Sequence, residues 1–278
     1  MRLGLLGYGA IARQALAALA KSDAAPFETV VCLARPEGAE RARALLDAFG
    51  PEIAAQRRVV TDLAGLIAAK PDVVAEAAGH EALLSHGADV LASGVDLIVT
   101  SAGALADGAL REALDDAARR GGARYRLCAG AIGGLDILAA AKLSGLTEVV
   151  YVSRKPPAAW RGTRAEALID LDALTTERTF FEGSAREAAL NYPQNANVAA
   201  TLAFFGAGFE KTRVRLIADP EAARNTHEIL LRSTCADIEI RIAGVPSPDN
   251  PKSSMTTGFA LAALILEFCN GKTGRQST

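Results

Sequence analysis

The sequence has little of what would tie a protein to nucleic acid, to a metal or to disulfide chemistry. Its 278 residues carry 30 Lys and Arg against 32 Asp and Glu, a formal net charge of −2. The arginines form no basic block, which argues against a protein held to nucleic acid by charge. Only three histidines and four cysteines occur. Because the cysteines form no C-x-x-C pair, we expect small buried side chains in a reducing cytosol rather than zinc ligands or disulfides.

The sequence also lacks a long uninterrupted hydrophobic run. The N-terminal stretch "MRLGLLGYGAIARQALAALA" is broken by glycines at 4, 7 and 9 and by Arg13, and is more typical of a strand, a turn and a helix than of a signal peptide. The C-terminal run "FALAALILEF" is too short to span a bilayer. We therefore expect a soluble cytoplasmic protein with no membrane or nucleic-acid partner, long enough for one large or two modest domains.

The first half alternates between apolar strands and helical stretches. Strands are predicted at 2–7, 29–34, 72–78, 95–101 and 124–128, and helices at 10–21, 37–49, 81–92 and 107–120. Continuous apolar strands separated by helices indicate a parallel sheet covered on both faces. Residues 1–128 are therefore predicted to form a Rossmann-type, doubly wound α/β domain.

The pattern changes after about residue 128, and residues 129–252 are predicted to form a second α+β domain. "AIGGLDILAAAKL", "SAREAALNYP" and "NVAATLAFFGAG" are expected as helices, and "TEVVYVSRK" as a strand. "TRVRLIAD", "HEILLRS" and "DIEIRIAG" alternate apolar and polar residues, which favours an antiparallel sheet. The Pro-rich "VPSPDNPKSS" is expected as a loop. A final apolar helix at 254–269 is expected to pack back on the first domain.

A glycine-bearing turn follows the first strand directly. The motif Gly7-x-Gly9-x-x-Ala12 opens the first helix. Gly7 would permit a tight turn, Gly9 would let the backbone approach a pyrophosphate, and Ala12 would allow close helix packing. The helix start at Ala10 and Ile11 would present N–H groups and the positive dipole end to phosphates. The context predicts a dinucleotide site, although a glycine-rich turn alone is also compatible with a purely steric role.

Arg35 bears on the choice of dinucleotide. An NAD site usually has an acidic residue at the end of the second strand to bind the ribose diol. Here that strand ends "LARPEG", so Arg35 stands at the expected position. Arginine can pair with a 2′-phosphate, so we predict that NADP is accepted, while a merely solvated Arg35 remains an alternative.

The histidines differ in what their contexts predict. His80 and His86 are six residues apart on a predicted helix, which matches no metal-binding spacing, so helix start or surface is the expected location and no metal site is predicted. His227, in "DPEAARNTHEILLR", is the only histidine of the second half. A lone histidine at a strand end is usually structural, but histidine titrates near neutral pH and can exchange protons with a substrate. The residues alone leave both readings open.

Other polar residues of the second half have two readings each. Asn195 and Asn197 precede an apolar helix and could cap it, or could bind a nicotinamide or ribose through their amides. The turn in "LCAGAIGGLD" could contact a ligand through backbone N–H groups or serve as a hinge. Lys155 in "SRKPP" and Lys252 in "NPKSS" are predicted loop cations that could hold substrate carboxylates or simply be solvated.

Taken together, the chain resembles the L-aspartate dehydrogenase family. The resemblance is carried by "GYGAIA", "TSAGALAD", "AGAIGGLD", "SRKPP", "YPQNANVAATLA", "ADPEAARNTHEI" and "VPSPDNPKSS", in this order. It implies a Rossmann-type domain, a dihydrodipicolinate-reductase-like catalytic domain and a homodimer or larger homo-oligomer. It also implies oxidation of L-aspartate to iminoaspartate with NAD or NADP, followed by hydrolysis to oxaloacetate and ammonia, in some organisms for NAD biosynthesis.

The resemblance also implies roles for particular residues. The family's active-site histidine corresponds to His227, and two nucleotide contacts correspond to Ala131 and Asn197. Two other functions remain compatible with the sequence. One is a related dehydrogenase or reductase of another amino or imino acid, and the other is a non-catalytic dinucleotide sensor, because fold alone does not decide function.

Overall fold

The computed structural model describes residues 1–24, 26–247 and 250–273, and the side chains at 194, 250–253 and 271–273 fall outside this description. The described chain divides into two compact units. The first unit comprises 1–101, 107–130 and the chain from 257, and the second comprises 102–106 and 131–256. No helix within these ranges is both long and apolar enough to cross a membrane.

The first unit contains a parallel sheet of six strands within the described residues, in the order β3-β2-β1-β4-β5-β6. The strands are β1 (Arg2–Leu6), β2 (Phe27–Leu33), β3 (Ala54–Val60), β4 (Val73–Glu76), β5 (Asp96–Val99) and β6 (Tyr125–Leu127). The helices are α1 (Ala10–Ala20), α2 (Ala39–Phe49), α3 (Leu63–Ala68), α4 (His80–Ala92) and α5 (Gly108–Gly121). The predicted doubly wound sheet is confirmed, with β3 and α3 as additions that the sequence pattern did not reveal.

Local sequence explains where several of these helices begin and end. The Asp107 carboxylate caps α5 by accepting from the backbone N–H of Ala109 at 2.9 Å, and Gly122 ends the helix in the left-handed region at φ +65°. Asp62 caps α3 in the same way, accepting from Gly65 N–H at 2.7 Å. Each cap satisfies a backbone group that the helix end leaves without a partner.

The core of the first unit forms between β1 and the helices that cover it. Leu3, Leu5 and Leu16 are at most 1% exposed. The C-terminal helix α9 (Met255–Thr273) adds side chains to the same cluster, among them Leu261 and Ile265, both fully buried. The helix therefore contributes to this unit's hydrophobic stabilisation, at roughly 25 cal/mol per Å² of apolar surface removed from water.

The second unit is built on a mixed sheet of order β11-β10-β7-β9-β8 in the described residues. Its strands are β7 (Leu146–Lys155), β8 (Arg178–Ser184), β9 (Thr212–Ala218), β10 (Thr226–Ser233) and β11 (Asp237–Ala243). The helices α6 (Leu135–Gly145), α7 (Ala185–Asn191) and α8 (Asn197–Phe205) accompany it. Single turns of 3₁₀ helix include 102–106 and 193–195.

Two expectations for the second unit are wrong in detail. The alternating pattern predicts β9 in an antiparallel sheet with the two strands that follow it, but β9 runs parallel to β7, and β7 separates it from β10. The Pro-rich segment expected as a loop forms a short antiparallel pair, β12 (Pro246–Ser247) and β13 (Asn250–Ser254). Alternation along a strand reports which face is buried, but it does not report which neighbour the strand pairs with.

Candidate active site

The loop after β1 has the backbone geometry of a phosphate-binding turn. Gly7 has φ +102°, and a Cβ there would lie 2.8 Å from the Cβ of Ala78 and 2.9 Å from the carbonyl oxygen of Ala77. A side chain is therefore excluded twice, by the left-handed backbone and by the neighbouring loop. The same turn brings β1 directly into α1, with Ala12 fully buried in the helix.

Gly9 is the N-cap of α1 and is exposed. A Cβ on Gly9 would meet no atom within 4 Å, so the space in front of this helix start is open. Gly9 has no side chain with which to cap the helix, and the first turn at Ala10 and Ile11 carries no acidic residue. The N–H groups at the start of α1 are thus left for an anionic ligand, as expected for a pyrophosphate.

A cleft of about 590 Å³ opens beside this loop. Gly7, Gly9 and Arg35 line it, together with Glu81 and His86 of α4. The volume falls in the usual range for ligand sites. Arg35 is exposed and follows β2 by two residues, at the position from which a 2′-substituent of the ribose would be recognised.

His80 and His86 both lie on α4, as expected for helix residues. His80 is its first residue, and His86 lies one to two turns later at the edge of the cleft. Within the part of the chain that the structure describes, no group of three or more His, Cys, Asp or Glu residues is placed to hold a metal ion.

A buried carboxylate lies at the end of β4. Glu76 is fully buried and accepts hydrogen bonds from the backbone N–H groups of Ala78, Gly79, Thr100 and Ser101 at 2.9 to 3.1 Å. The Ser101 hydroxyl donates a further bond at 2.9 Å. Glu76 thereby joins the loops that follow β4 and β5. Its only sequence signal is an acidic residue inside the apolar run "DVVAEAA".

In the second unit, His227 lies at the second position of β10 and is 6% exposed. Its Nδ1 is 2.7 Å from the hydroxyl oxygen of Tyr151, which is buried in β7. Burial and, to a smaller extent, the positive charge of Lys155 together lower the pKa of His227 to about 4. The imidazole is therefore neutral at neutral pH.

Lys155 is placed differently from the solvated loop cation expected. It is the last residue of β7, it is 6% exposed, and its Nζ donates to the Asn195 Oδ1 at 2.5 Å. The ammonium also lies 4.7 Å from the ring centroid of Trp160. Burial lowers the pKa of Lys155 to about 8. Among the described residues Lys155 has no ion pair, so a buried cation stands here without a counter-charge.

Strand register explains why these side chains meet. Tyr151, Ser153 and Lys155 alternate along β7 and share one face, and His227 is paired with Ser153 across the antiparallel ladder. This row could have been found in "TEVVYVSRK" by its period of two, but its partner His227 lies more than 70 residues away in the chain.

Neither asparagine of "NANVAA" caps α8. The N-cap is Ala196, and Asn197 is the first helical residue. The Asn197 Oδ1 accepts from the backbone N–H of Gly103 at 2.9 Å, which fixes the 3₁₀ turn at 102–106 in the second unit. Asn195 instead accepts from Lys155. The N-cap interpretation is therefore wrong for both residues.

Ala131 and Lys252 complete the predicted site residues. Ala131 is 8% exposed and directly follows Gly130, whose φ is +66°. Ala131 therefore lies in the turn that precedes α6. Lys252 belongs to β13, and its side chain lies outside the described residues.

Comparison with known proteins agrees with both units. The family described as "Aspartate dehydrogenase, C-terminal" matches residues 136–268, and "Homoserine dehydrogenase, NAD binding domain" matches residues 7–127. The latter supports the predicted use of NAD or NADP.

Full-length relatives and solved structures point the same way. The chain is 45% identical to an L-aspartate dehydrogenase of Ralstonia nicotianae, covering 95% of this chain and 96% of that protein. It is 44% identical to L-aspartate dehydrogenase 2 of Bordetella pertussis, covering 95% of each. Aspartate dehydrogenase from Thermotoga maritima superposes with a TM-score of 0.73 at 25% identity, covering 96% of each chain.

A dihydrodipicolinate reductase from a Paenisporosarcina species shares the fold alone. It superposes with a TM-score of 0.52 at 14% identity over 96% of this chain and 95% of that one. The resemblance predicted from the sequence motifs is confirmed by relatives that match almost end to end. This chain belongs to the L-aspartate dehydrogenase family.

Proposed function

We propose that this protein is an enzyme that oxidises L-aspartate to iminoaspartate with NAD or NADP, and that the imine then hydrolyses to oxaloacetate and ammonia. The observation that carries the proposal is the 45% identity to an L-aspartate dehydrogenase over 95% of the chain. The geometry supports it independently, because one unit offers an anion-binding helix start and the other a buried cation beside a neutral histidine.

The first unit fits a dinucleotide. The open space in front of Gly9 and the uncapped start of α1 would receive the pyrophosphate, with Gly7, Ala10, Ile11 and Ala12 shaping the turn. We propose that Ala131 and Asn197 are further nucleotide contacts, as the resemblance implies. A dinucleotide held there would supply the nicotinamide as the acceptor of a hydride from C2 of the substrate.

Arg35 supports acceptance of NADP. It lines the cleft, it is exposed, and no carboxylate occupies its position at the end of β2. A guanidinium there can form charge-assisted hydrogen bonds to a 2′-phosphate, whereas an acidic residue would repel it. We therefore propose that the enzyme uses NADP as well as NAD.

Lys155 is proposed to bind a substrate carboxylate. Aspartate brings two carboxylates, and a buried ammonium held by a neutral amide oxygen has its charge uncompensated. A bound carboxylate would remove that imbalance and would raise the pKa of Lys155 back toward its ordinary range. We propose Lys252 as a second carboxylate contact on the basis of its position in the chain alone.

His227 is proposed as the catalytic residue that contacts the substrate. His227 pairs with Ser153 across the ladder, and Lys155 follows Ser153 by two residues on β7. His227 also keeps a small exposed surface. A homo-oligomeric assembly such as a homodimer and a supply of iminoaspartate to NAD biosynthesis stay predictions from the resemblance. A cytoplasmic location stays a prediction from the composition of the sequence.

The proposal is tested by assaying both directions with both cofactors. We expect reduction of NAD and NADP with L-aspartate, and oxidation of the reduced cofactors with oxaloacetate plus ammonia. A panel of other amino acids and their oxo acids serves as the control. Faster turnover of another amino acid would replace the substrate assignment. Dinucleotide binding without turnover of any compound in the panel would favour the non-catalytic sensor.

A further inference from the structure

The contact between Tyr151 and His227 is a hydrogen bond along the ring edges. The phenol oxygen and Nδ1 are 2.7 Å apart, the ring planes differ by 16°, and the centroids are 6.0 Å apart. Rings stacked face to face could not bring these two atoms so close. The phenol oxygen therefore approaches Nδ1 near the plane of the imidazole ring. The lone pair or the proton of Nδ1 lies in that plane.

The proton in this bond comes from the phenol. Tyr151 is 1% exposed, and burial raises the pKa of its hydroxyl, so the phenol stays protonated. If Nδ1–H donated instead, the buried phenol O–H would need a second acceptor. The neighbouring Ser153 Oγ has no partner within hydrogen-bond distance among the described residues. Its effect is to lower the pKa of Tyr151, which is the effect of a donor to the phenol oxygen and not of an acceptor. Donation to Nδ1 satisfies the phenol fully.

This direction determines the tautomer of His227. A neutral imidazole carries one proton, and a nitrogen that accepts a hydrogen bond cannot hold it. With Nδ1 as the acceptor, the proton is on Nε2. Among the described residues no partner of Nε2 occurs, so Nε2–H is left to meet a ligand.

We propose that Tyr151 is a positioning residue that holds His227 as its Nε2–H tautomer, so that His227 meets the substrate as a hydrogen-bond donor to a carboxylate or carbonyl oxygen. The catalytic meaning of this assignment rests on the proposed aspartate dehydrogenase function. Removing a proton from the substrate ammonium, or from water, requires a bare nitrogen facing the substrate, and this tautomer presents an N–H there instead.

The tautomer itself can be read by NMR of protein labelled with ¹⁵N in its histidine rings. The chain has three histidines, and the His227→Gln variant assigns the signal of interest. At neutral pH we expect His227 in the wild type to show a protonated Nε2 and a bare Nδ1. A protonated Nδ1 in the wild type would overturn the proposal, and this spectrum requires neither a foldable variant nor a known substrate.

Substitution of Tyr151 by Phe tests the cause. We expect the His227 signal to lose its single tautomer and to show protonation at Nδ1. The matched control is Tyr192→Phe, at a buried tyrosine of the same unit that contacts Phe180 and Phe181 edge-on. An unchanged tautomer in Tyr151→Phe, or an equal change in Tyr192→Phe, would exclude Tyr151 as its cause.

Kinetics with aspartate provide a separate readout. We expect Tyr151→Phe to lower kcat about tenfold while the dinucleotide Kd stays unchanged. Gln can place an amide N–H near the position of Nε2, whereas the shorter Asn reaches only the position of Nδ1. His227→Gln should therefore retain more activity than His227→Asn. The reverse order would overturn the donor role, and failure of the wild type to oxidise aspartate would overturn the proposed function while leaving the NMR result standing.

Discussion

At the scale of single residues, the burial of two ionisable side chains gives the site its chemical character. Lys155 and His227 are each 6% exposed, and burial disfavours the charged form of both. The result is a neutral imidazole beside a cation that has no counter-ion in the part of the chain that the structure describes. Groups shifted in this way are frequent in active sites, where a ligand supplies the missing charge.

The first prediction concerns His227. In His227→Ala we expect kcat for aspartate to fall about 100-fold or more, because a hydrogen-bond donor to the reacting substrate is lost. Dinucleotide affinity, measured by titration, should be unchanged. Turnover close to that of the wild type would remove His227 from the catalytic machinery.

The second prediction concerns Lys155. Replacing it by Met keeps the volume but removes the charge, so we expect KM for aspartate to rise by about 100-fold, in line with losing one partner of a buried charge pair. Aspartate binding can also be followed by fluorescence of Trp160, the only tryptophan of the chain, which lies beside Lys155. The control is Lys211→Met, at an exposed lysine of the same unit. Equal KM values for the two variants would contradict the assignment.

The third prediction concerns Arg35. In Arg35→Ala we expect kcat/KM for NADP to fall about 10- to 100-fold, the value of a charge-assisted hydrogen bond, with little change for NAD. Arg43→Ala serves as the control, since Arg43 is an exposed arginine of α2 that does not line the cleft. An unchanged ratio between the two cofactors would mean that Arg35 is only solvated.

At the scale of elements, the two glycines of the turn between β1 and α1 have different roles, one in the fold and the other in ligand binding. Gly7 is required by the fold, because its φ is positive and the loop at Ala77 and Ala78 leaves no room for a side chain. Gly9 has an ordinary φ of −79° and open space around it. The structure thus gives no steric reason for glycine at position 9 except the approach of a ligand.

The fourth prediction follows from this contrast. We expect Gly9→Ala to change the free energy of unfolding by less than about 1 kcal/mol and to weaken dinucleotide binding at least about tenfold. Gly7→Ala should instead lower the free energy of unfolding by about 1–3 kcal/mol. Thermal melts and cofactor titrations on both variants check this pair. Unaltered cofactor affinity in Gly9→Ala would contradict the proposed pyrophosphate position.

Two strands that the sequence did not reveal, β3 and β8, lie at sheet edges. β3 and β8 each form one edge of their sheet, and both expose several side chains. A central parallel strand is buried on both faces and therefore stands out as an apolar run, as in β1. An edge strand such as "AAQRRVV" has no such requirement, so its composition resembles that of a loop.

At the scale of the whole molecule, the buried ammonium links function to stability. A basic group that is buried without a counter-charge destabilises the fold while it stays protonated, because its protonated form carries the charge. In Lys155 the folded-state pKa of about 8 lies below the ordinary value of 10.5. Between these two values the unfolded chain binds more protons than the folded chain, so this group makes stability rise with pH across that window.

The fifth prediction is a pH-dependent gain of stability in Lys155→Met. At neutral pH, where the lysine is charged in both states, we expect the variant to be more stable than the wild type by about 3 kcal/mol. The difference should shrink as pH rises from 8 toward 10.5. Denaturant unfolding followed by Trp160 fluorescence reports on the second unit. A difference that stays constant with pH would show that packing, not charge, is responsible.

The local sequence carried enough information for the doubly wound fold, the glycine turn and the family. Each depends on neighbours in the chain, through apolar periodicity, backbone φ and helix starts. The partners of Lys155 and His227 did not follow in the same way. Tyr151 lies far from His227 in the sequence, and the two meet only through the register of β7 with β10. Asn195 lies far from Lys155, and the turn at 193–195 brings the two together. Protonation and tautomer depend on burial and hydrogen-bond partners, and these exist only once the sheet has formed.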